Sequence, residues 1–146
     1  MAQITLEGLD ELDSMFSNLA EIPWDVTQDA LEAMAAVAEK KIKASGESMG
    51  VRDPESRVHI LDKITHRKPK RTEAGGYTSV TFSGSRTRGR NRKRTHNAVI
   101  AFMNEYGARG QAARPFVRQA AETGADEIAA PGEKIIGDWF EKTAKG

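Results

Sequence analysis

Asn97-Ala98-Val99-Ile100-Ala101-Phe102-Met103 is, after its first residue, an unbroken apolar run, and the way it is read decides the fold. Ala98, Ile100 and Phe102 alternate with Val99, Ala101 and Met103, which is the period of a strand. Upstream, Tyr77-Thr78-Ser79-Val80-Thr81-Phe82 carries the β-branched and aromatic residues that suit a pleated surface. Between the two lies Gly84–Thr95, rich in arginine and with nothing apolar to bury. Two strands around a polar connection predict an antiparallel hairpin with an extended basic tip.

Downstream, Glu105-Tyr106-Gly107 and a short Gly-containing loop lead to Arg114-Pro115-Phe116. Gly107 permits a turn closed to other residues, and Pro115 presets a first helical turn. Phe116 can anchor that helix on the sheet. Gly124 weakens the helix, and Pro131-Gly132 predicts a break before a last helix striped by Ile135, Ile136, Trp139 and Phe140.

Upstream, Leu31, Met34, Ala38 and Ile42 recur at helical spacing and predict a long helix over about 25–45. Pro23 stands near its start, Asp25 with Gln28 has the spacing of a capping box, and Gly46 reads as its stop. The Gly-, Ser-, Asp- and Pro-rich stretch 45–54 reads as a loop. Residues 58–64 read as a strand or as a helical turn leading into one. Lys68–Gly76 reads as a basic turn. Gln3–Glu7 predicts a short strand ended by Gly8, followed by a turn of helix carrying Leu9, Leu12, Met15, Phe16 and Leu19. No repeat or second domain is visible. The expected class is α+β, one domain over 1–146: an antiparallel sheet with a long basic hairpin at about 67–96, packed against a long helix and C-terminal helices.

Charge is unevenly placed. The net charge is +1, yet Arg67–Arg94 holds ten basic residues and one acid, leaving +9 there and −8 elsewhere. The densest part is Arg86, Arg88, Arg90, Arg92, Lys93 and Arg94. Such an arm binds phosphates without reading sequence, or docks on an acidic protein surface, or is simply solvated; clustering alone does not choose the partner. It holds no aromatic residue for base stacking.

Catalytic patterns are missing. The chain has no cysteine, which removes disulfides and thiolate chemistry. His59, His66 and His96 fall in no metal-ligand spacing and read as surface or packing residues. There is no G-x-S-x-G elbow and no phosphate-cradling glycine loop. The expectation is a non-enzyme with no cofactor and no metal. The first residues show no signal-peptide pattern and no apolar stretch approaches a bilayer's thickness, so the expected setting is the cytoplasm at synthesis, without a membrane partner.

Glu105-Tyr106-Gly107, the loop, and Arg114-Pro115-Phe116 before a helix resemble the small tail-completion proteins of long-tailed bacteriophages, the family named for a gene-ten product of a lambdoid phage. Ile4, Leu6, Gly8, Leu9, Leu12 and Leu19 are similar to that family's opening. The helix around Ala30–Ile42 and Leu61-Asp62-Lys63-Ile64 stand where the family has its long helix and first hairpin strand. The resemblance covers nearly the whole chain; Lys68–Thr95 departs from it in being longer and more basic. It implies a structural virion protein, assembled in the host cytoplasm, that completes the tail or joins it to the head as part of a ring, often a hexamer. Implied partners are further copies of the chain, neighbouring neck and tail-tube proteins, and packaged DNA. A tail-terminator or head-closure ring, and a nucleic-acid-binding protein using the arm, are the alternatives.

Overall fold

The computed structural model describes residues 22–51, 59–73, 75–88 and 93–145. The expected opening strand and turn over 3–19 lie outside the described residues, as do Arg90 and Arg92. The class is α+β, as the patterning predicts, with helices and small antiparallel sheets.

Helix α1 spans Trp24–Ser48. Its start has no side-chain cap: Pro23 carries extended backbone (φ −57°, ψ 145°), and its carbonyl accepts from Thr27 N at 3.1 Å. The capping box expected of Asp25 and Gln28 does not form. Gln28 instead donates to Glu32 Oε1 at 3.2 Å, one turn on. The stop is also not where it is expected. Gly46 lies buried inside the helix, and the end comes at Gly50, whose φ is +66°. Gly50 N donates to Glu47 O (3.2 Å) and Val51 N to Gly46 O (2.9 Å), the paired bonds of a left-handed glycine terminus. Gly46 is needed for space: a Cβ there would stand 2.6 Å from Leu61 Cδ2 and 3.2 Å from the Phe116 ring.

A 3₁₀ turn over Ile60–Lys63 follows, and leads into β1 (Ile64–His66), one of the two readings open for 58–64. His59 caps the turn, its Nδ1 accepting from Leu61 N at 3.1 Å while Nε2–H donates to Val51 O at 2.8 Å. The "basic turn" is a ribbon, β2 (Lys70–Thr72) against β3 (Gly75–Tyr77). It continues the pair of β1 with β4 (Val80–Phe82), whose register is Ile64↔Phe82, Thr65↔Thr81 and His66↔Val80. Arg67 N to Ser79 O at 2.9 Å links the two halves. This bent ribbon runs along α1: His66 Nδ1 lies 2.5 Å from Glu39 Oε1, and Gly76 sits under the Trp24 ring.

The arginine-rich segment forms strands rather than a loop. β5 (Ser85–Arg88) pairs antiparallel with β6 (Lys93–His96), Ser85 opposite His96 and Arg88 opposite Lys93. The expected strand Asn97–Met103 is a helix, α2 (Asn97–Tyr106). Its buried residues, Asn97, Ile100, Ala101, Asn104 and Glu105, follow i, i+3, i+4, i+7, i+8. Three of the five are polar, so an apolar count favours the strand although the polar residues complete the helical face. The sheet partner of Tyr77–Phe82 is therefore β1, and the expected hairpin with 97–103 does not exist. Instead of one sheet there are three two-stranded ones.

Helix α3 runs unbroken from Phe116 to Lys145, through Gly124 and through Pro131-Gly132. The proline removes one helical N–H, but packing on α1 outweighs that local loss. Gly132 lies buried against Met34 and the Ala30 carbonyl, and Gly124 lies against the Lys41 stem. Lys41 pairs with Glu127. Together with Phe116 beside Gly46, these contacts run in opposite order along the two helices, so α1 and α3 are antiparallel. The core gathers at one end of this pair: Ile42, Val51, Ile60, Leu61, Ile100, Ala101, Phe116 and Ala120.

Candidate functional site

The residues singled out by sequence fall into two neighbouring structures at the core end of the helix pair. The first is the α2–α3 junction. Gly107 adopts φ +84°, ψ 166°, a conformation open essentially to glycine. A Cβ there would also stand 3.1 Å from Gln111 O and Ala113 N, both backbone atoms with no freedom to withdraw. The loop beyond it closes on itself through paired bonds between Ala108 and Gln111 (3.1 and 2.9 Å). Asn104 ties the loop down: its Oδ1 accepts from Gln111 Nε2 at 3.1 Å, and its backbone carbonyl accepts from Arg114 N at 2.6 Å.

Glu105 is buried, and its two carboxylate oxygens accept from the backbone N–H groups of Val117 (2.8 Å) and Arg118 (3.1 Å). These belong to the first turn of α3, where donors lack partners and the helix dipole is positive. The carboxylate is thus a helix cap delivered from another helix. Phe116, one residue into α3, is fully buried and meets Phe82 edge-on with centroids 5.9 Å apart. The expected anchoring of this helix by Phe116 is observed, with β4, α1 and the 3₁₀ turn as its seat. Pro115 and Arg114 lie half-buried at the junction; Arg114 acts here through its backbone.

Tyr106 is different. With Phe102 and Val99 it forms the outer face of α2, at i, i+3 and i+7, and all three are exposed (67%, 61% and 47%). The Phe102 and Tyr106 rings lean on each other, centroids 4.6 Å apart. They rim a shallow groove of about 480 Å³, floored by Phe82, Ala101, Val117 and Ala121 and bordered by Arg118. Sequence reading missed Phe102 and Val99 as surface residues because it placed them on a strand. Their helical spacing with Tyr106 is the signal that finds them.

The second structure is the basic hairpin, fused to the start of α2. β6 runs directly into Asn97, whose backbone N donates to Gly84 O at 3.0 Å. Asn97 Nδ2 donates to Ser83 O (2.7 Å), and Asn97 Oδ1 accepts from Arg86 Nε (2.8 Å). Arg86 therefore braces the base of the arm. Arg94 Nε donates to Ser85 Oγ at 2.7 Å, and both Arg94 and Lys93 are exposed. Arg88 belongs to β5. The arm and the aromatic groove share α2 as their common support, so the structure brings the two groups of sequence candidates onto one end of the molecule.

Chemistry beyond binding finds little to work with. His59 caps a turn, His66 pairs with Glu39, and His96 precedes α2 without a side-chain cap bond. Among the described residues, no three His, Asp or Glu side chains gather as a metal ion requires. Among the same residues no helix is long and apolar enough to cross a membrane. Comparison with protein-family models, with curated proteins and with solved structures finds no match to this chain.

Proposed function

We propose that the chain is a structural protein of the neck or tail end of a long-tailed phage, completing the tail or joining it to the head as a subunit of a ring. One observation carries this reading beyond the sequence resemblance. The residues of the resembling motif, Glu105, Gly107, Arg114 and Phe116, form a single hydrogen-bonded and buried junction. What that junction holds in place is a surface, the Phe102–Tyr106 face with the basic arm beside it, and not a catalytic constellation. A rigid support for exposed aromatic residues is what a docking subunit needs, since such residues dominate protein interfaces. The acidic remainder of the chain and the basic arm suit contacts between successive subunits, because opposite charges orient encounter.

The test is the native mass and electron-microscopic shape of the purified protein, alone and co-expressed with neighbouring virion proteins. A closed ring, six-membered by family analogy, with a passage for duplex DNA is the expected result. A protein strictly monomeric in both settings overturns the reading. The alternative, nucleic-acid binding through the arm, draws on the exposed Lys93 and Arg94. It calls for duplex retardation that weakens steeply with salt; absence of retardation at low salt removes it.

A further inference from the structure

We infer that the aromatic groove on α2 receives residues 1–21 of a second copy of this chain, making a head-to-tail contact. The inference deepens the ring reading and rests on it for closure of the assembly. Three observations carry it.

The first is chemical fit. The groove is apolar, rimmed by Phe102 and Tyr106, and its charged border is cationic: Arg118 at the edge, with Lys93 and Arg94 on the adjoining hairpin. Residues 1–21 contain five acids, Glu7, Asp10, Glu11, Asp13 and Glu21, and no lysine or arginine. Between those acids stand Leu9, Leu12, Met15, Phe16 and Leu19, at the spacing of one apolar helical stripe. An apolar stripe with acidic flanks is the complement of an apolar groove with a basic border.

The second is reach. Residue 22 leads into the start of α1, whereas the groove lies by the first turns of α3, which pack near Gly46 at the other end of α1. The separation along the helix is roughly 30 Å at about 1.5 Å per residue. Phe16 is six residues from Ile22, and Leu19 three. Fully extended chain covers at most about 3.5 Å per residue, so Phe16 reaches about 20 Å and Leu19 about 10 Å. The stripe falls short of its own groove and fits only that of a neighbour.

The third is geometry of assembly. A contact between two different patches is heterologous, and repetition of such a contact closes a ring when the rotation allows. Each copy then offers one segment and one groove.

The experiment uses two full-length variants. One carries Leu12→Asp and Phe16→Asp in the segment; the other carries Phe102→Ser and Tyr106→Ser in the groove, at exposed positions that leave the core intact. Circular dichroism confirms that both remain folded. Native mass and analytical ultracentrifugation then follow self-association. Wild type should assemble. Each variant alone should associate at least tenfold more weakly. Mixed in equal amounts they should form one-to-one dimers and stop there, because only one competent segment and one competent groove remain. A monomeric wild type, a variant that assembles normally, or a mixture that stays monomeric overturns the inference; so does duplex DNA, rather than protein, occupying the groove in a crosslinking control with wild type. Dimers from the mixture combined with failure to bind any virion protein overturn the phage reading and leave the contact standing.

Discussion

The α1–α3 seam and the α2 end of the molecule use side chains in opposite ways. Along the seam the contacts are made by small residues, Ala30, Ala35, Gly124 and Gly132, that let two long helices approach closely. At the α2 end large aromatic residues divide: Phe82 and Phe116 turn inward, while Phe102 and Tyr106 lean on each other in solvent. The seam spends its burial on holding the fold. The α2 end leaves apolar area unburied, and three buried polar side chains, Asn97, Asn104 and Glu105, fix where that area points. Stability and recognition thus occupy different ends of the chain's architecture, joined by one carboxylate and one phenyl ring.

Substitutions can break this division or sharpen it. Phe116→Ala should have the largest effect, since it empties the fully buried anchor of α3: about 3–5 kcal/mol lost in chemical denaturation. An unchanged denaturation midpoint would mean that the α2 end carries little of the stability. Gly107→Ala should come next, with about 1–3 kcal/mol of backbone strain at its positive φ. A loop that relaxes to accommodate alanine would retain full stability and expose the Ala108–Gln111 closure as dispensable. Glu105→Ala removes two hydrogen bonds at a helix start and should cost about 1–2 kcal/mol. Hydrogen exchange should then accelerate at Val117 and Arg118 but not at the seam; uniform acceleration would refute the local role.

The smallest effect is expected at Asp138, far from the α2 end. Its hydrogen bond with Lys134, 2.9 Å and one helical turn apart, and then the lysine's charge, hold its carboxyl below the usual range. The same bond and charge raise Lys134. Any stabilisation by Asp138 is present above the ordinary carboxylate range and fades as pH falls through the lowered value; that of Lys134 fades as pH rises past the ordinary lysine range. Both groups are fully exposed and screened by water and salt. Asp138→Asn should leave the melting temperature unchanged within error at neutral pH, and a clear drop there would contradict this.

What could be read from sequence followed from whether local and tertiary preferences agree. The helix over 25–45 was legible because Leu31, Met34, Ala38 and Ile42 repeat at its period, and Phe116 because a large ring after proline at a helix start has few uses. Asn97–Met103 was misread because seven residues fit both periods, and the decisive residues, Asn104 and Glu105, lie beyond the apolar run. Gly46 and Pro131 misled for a common reason: each carries a local stop signal, and each sits where α1 and α3 meet, so burial prevailed. Of the site, the arm and the Glu-Tyr-Gly and Arg-Pro-Phe residues were visible, whereas the Val99, Phe102 and Tyr106 face became visible only once α2 was known to be a helix.

The glycine-lined seam also bears on how such a chain can change over generations. Gly46 and Gly132 each face an occupied space, so a larger residue at either place demands compensation across the seam, at Leu61 or at Met34. Insertion of a single residue into either helix turns everything beyond it by about 100° and carries the glycines off the contact. Drift is therefore confined to the outer faces and to the connections between elements. The hairpin β5–β6, which contributes nothing to the seam, is free to lengthen, shorten or trade its charges, and descendants of this chain could acquire new partners there while inheriting the same pair of helices.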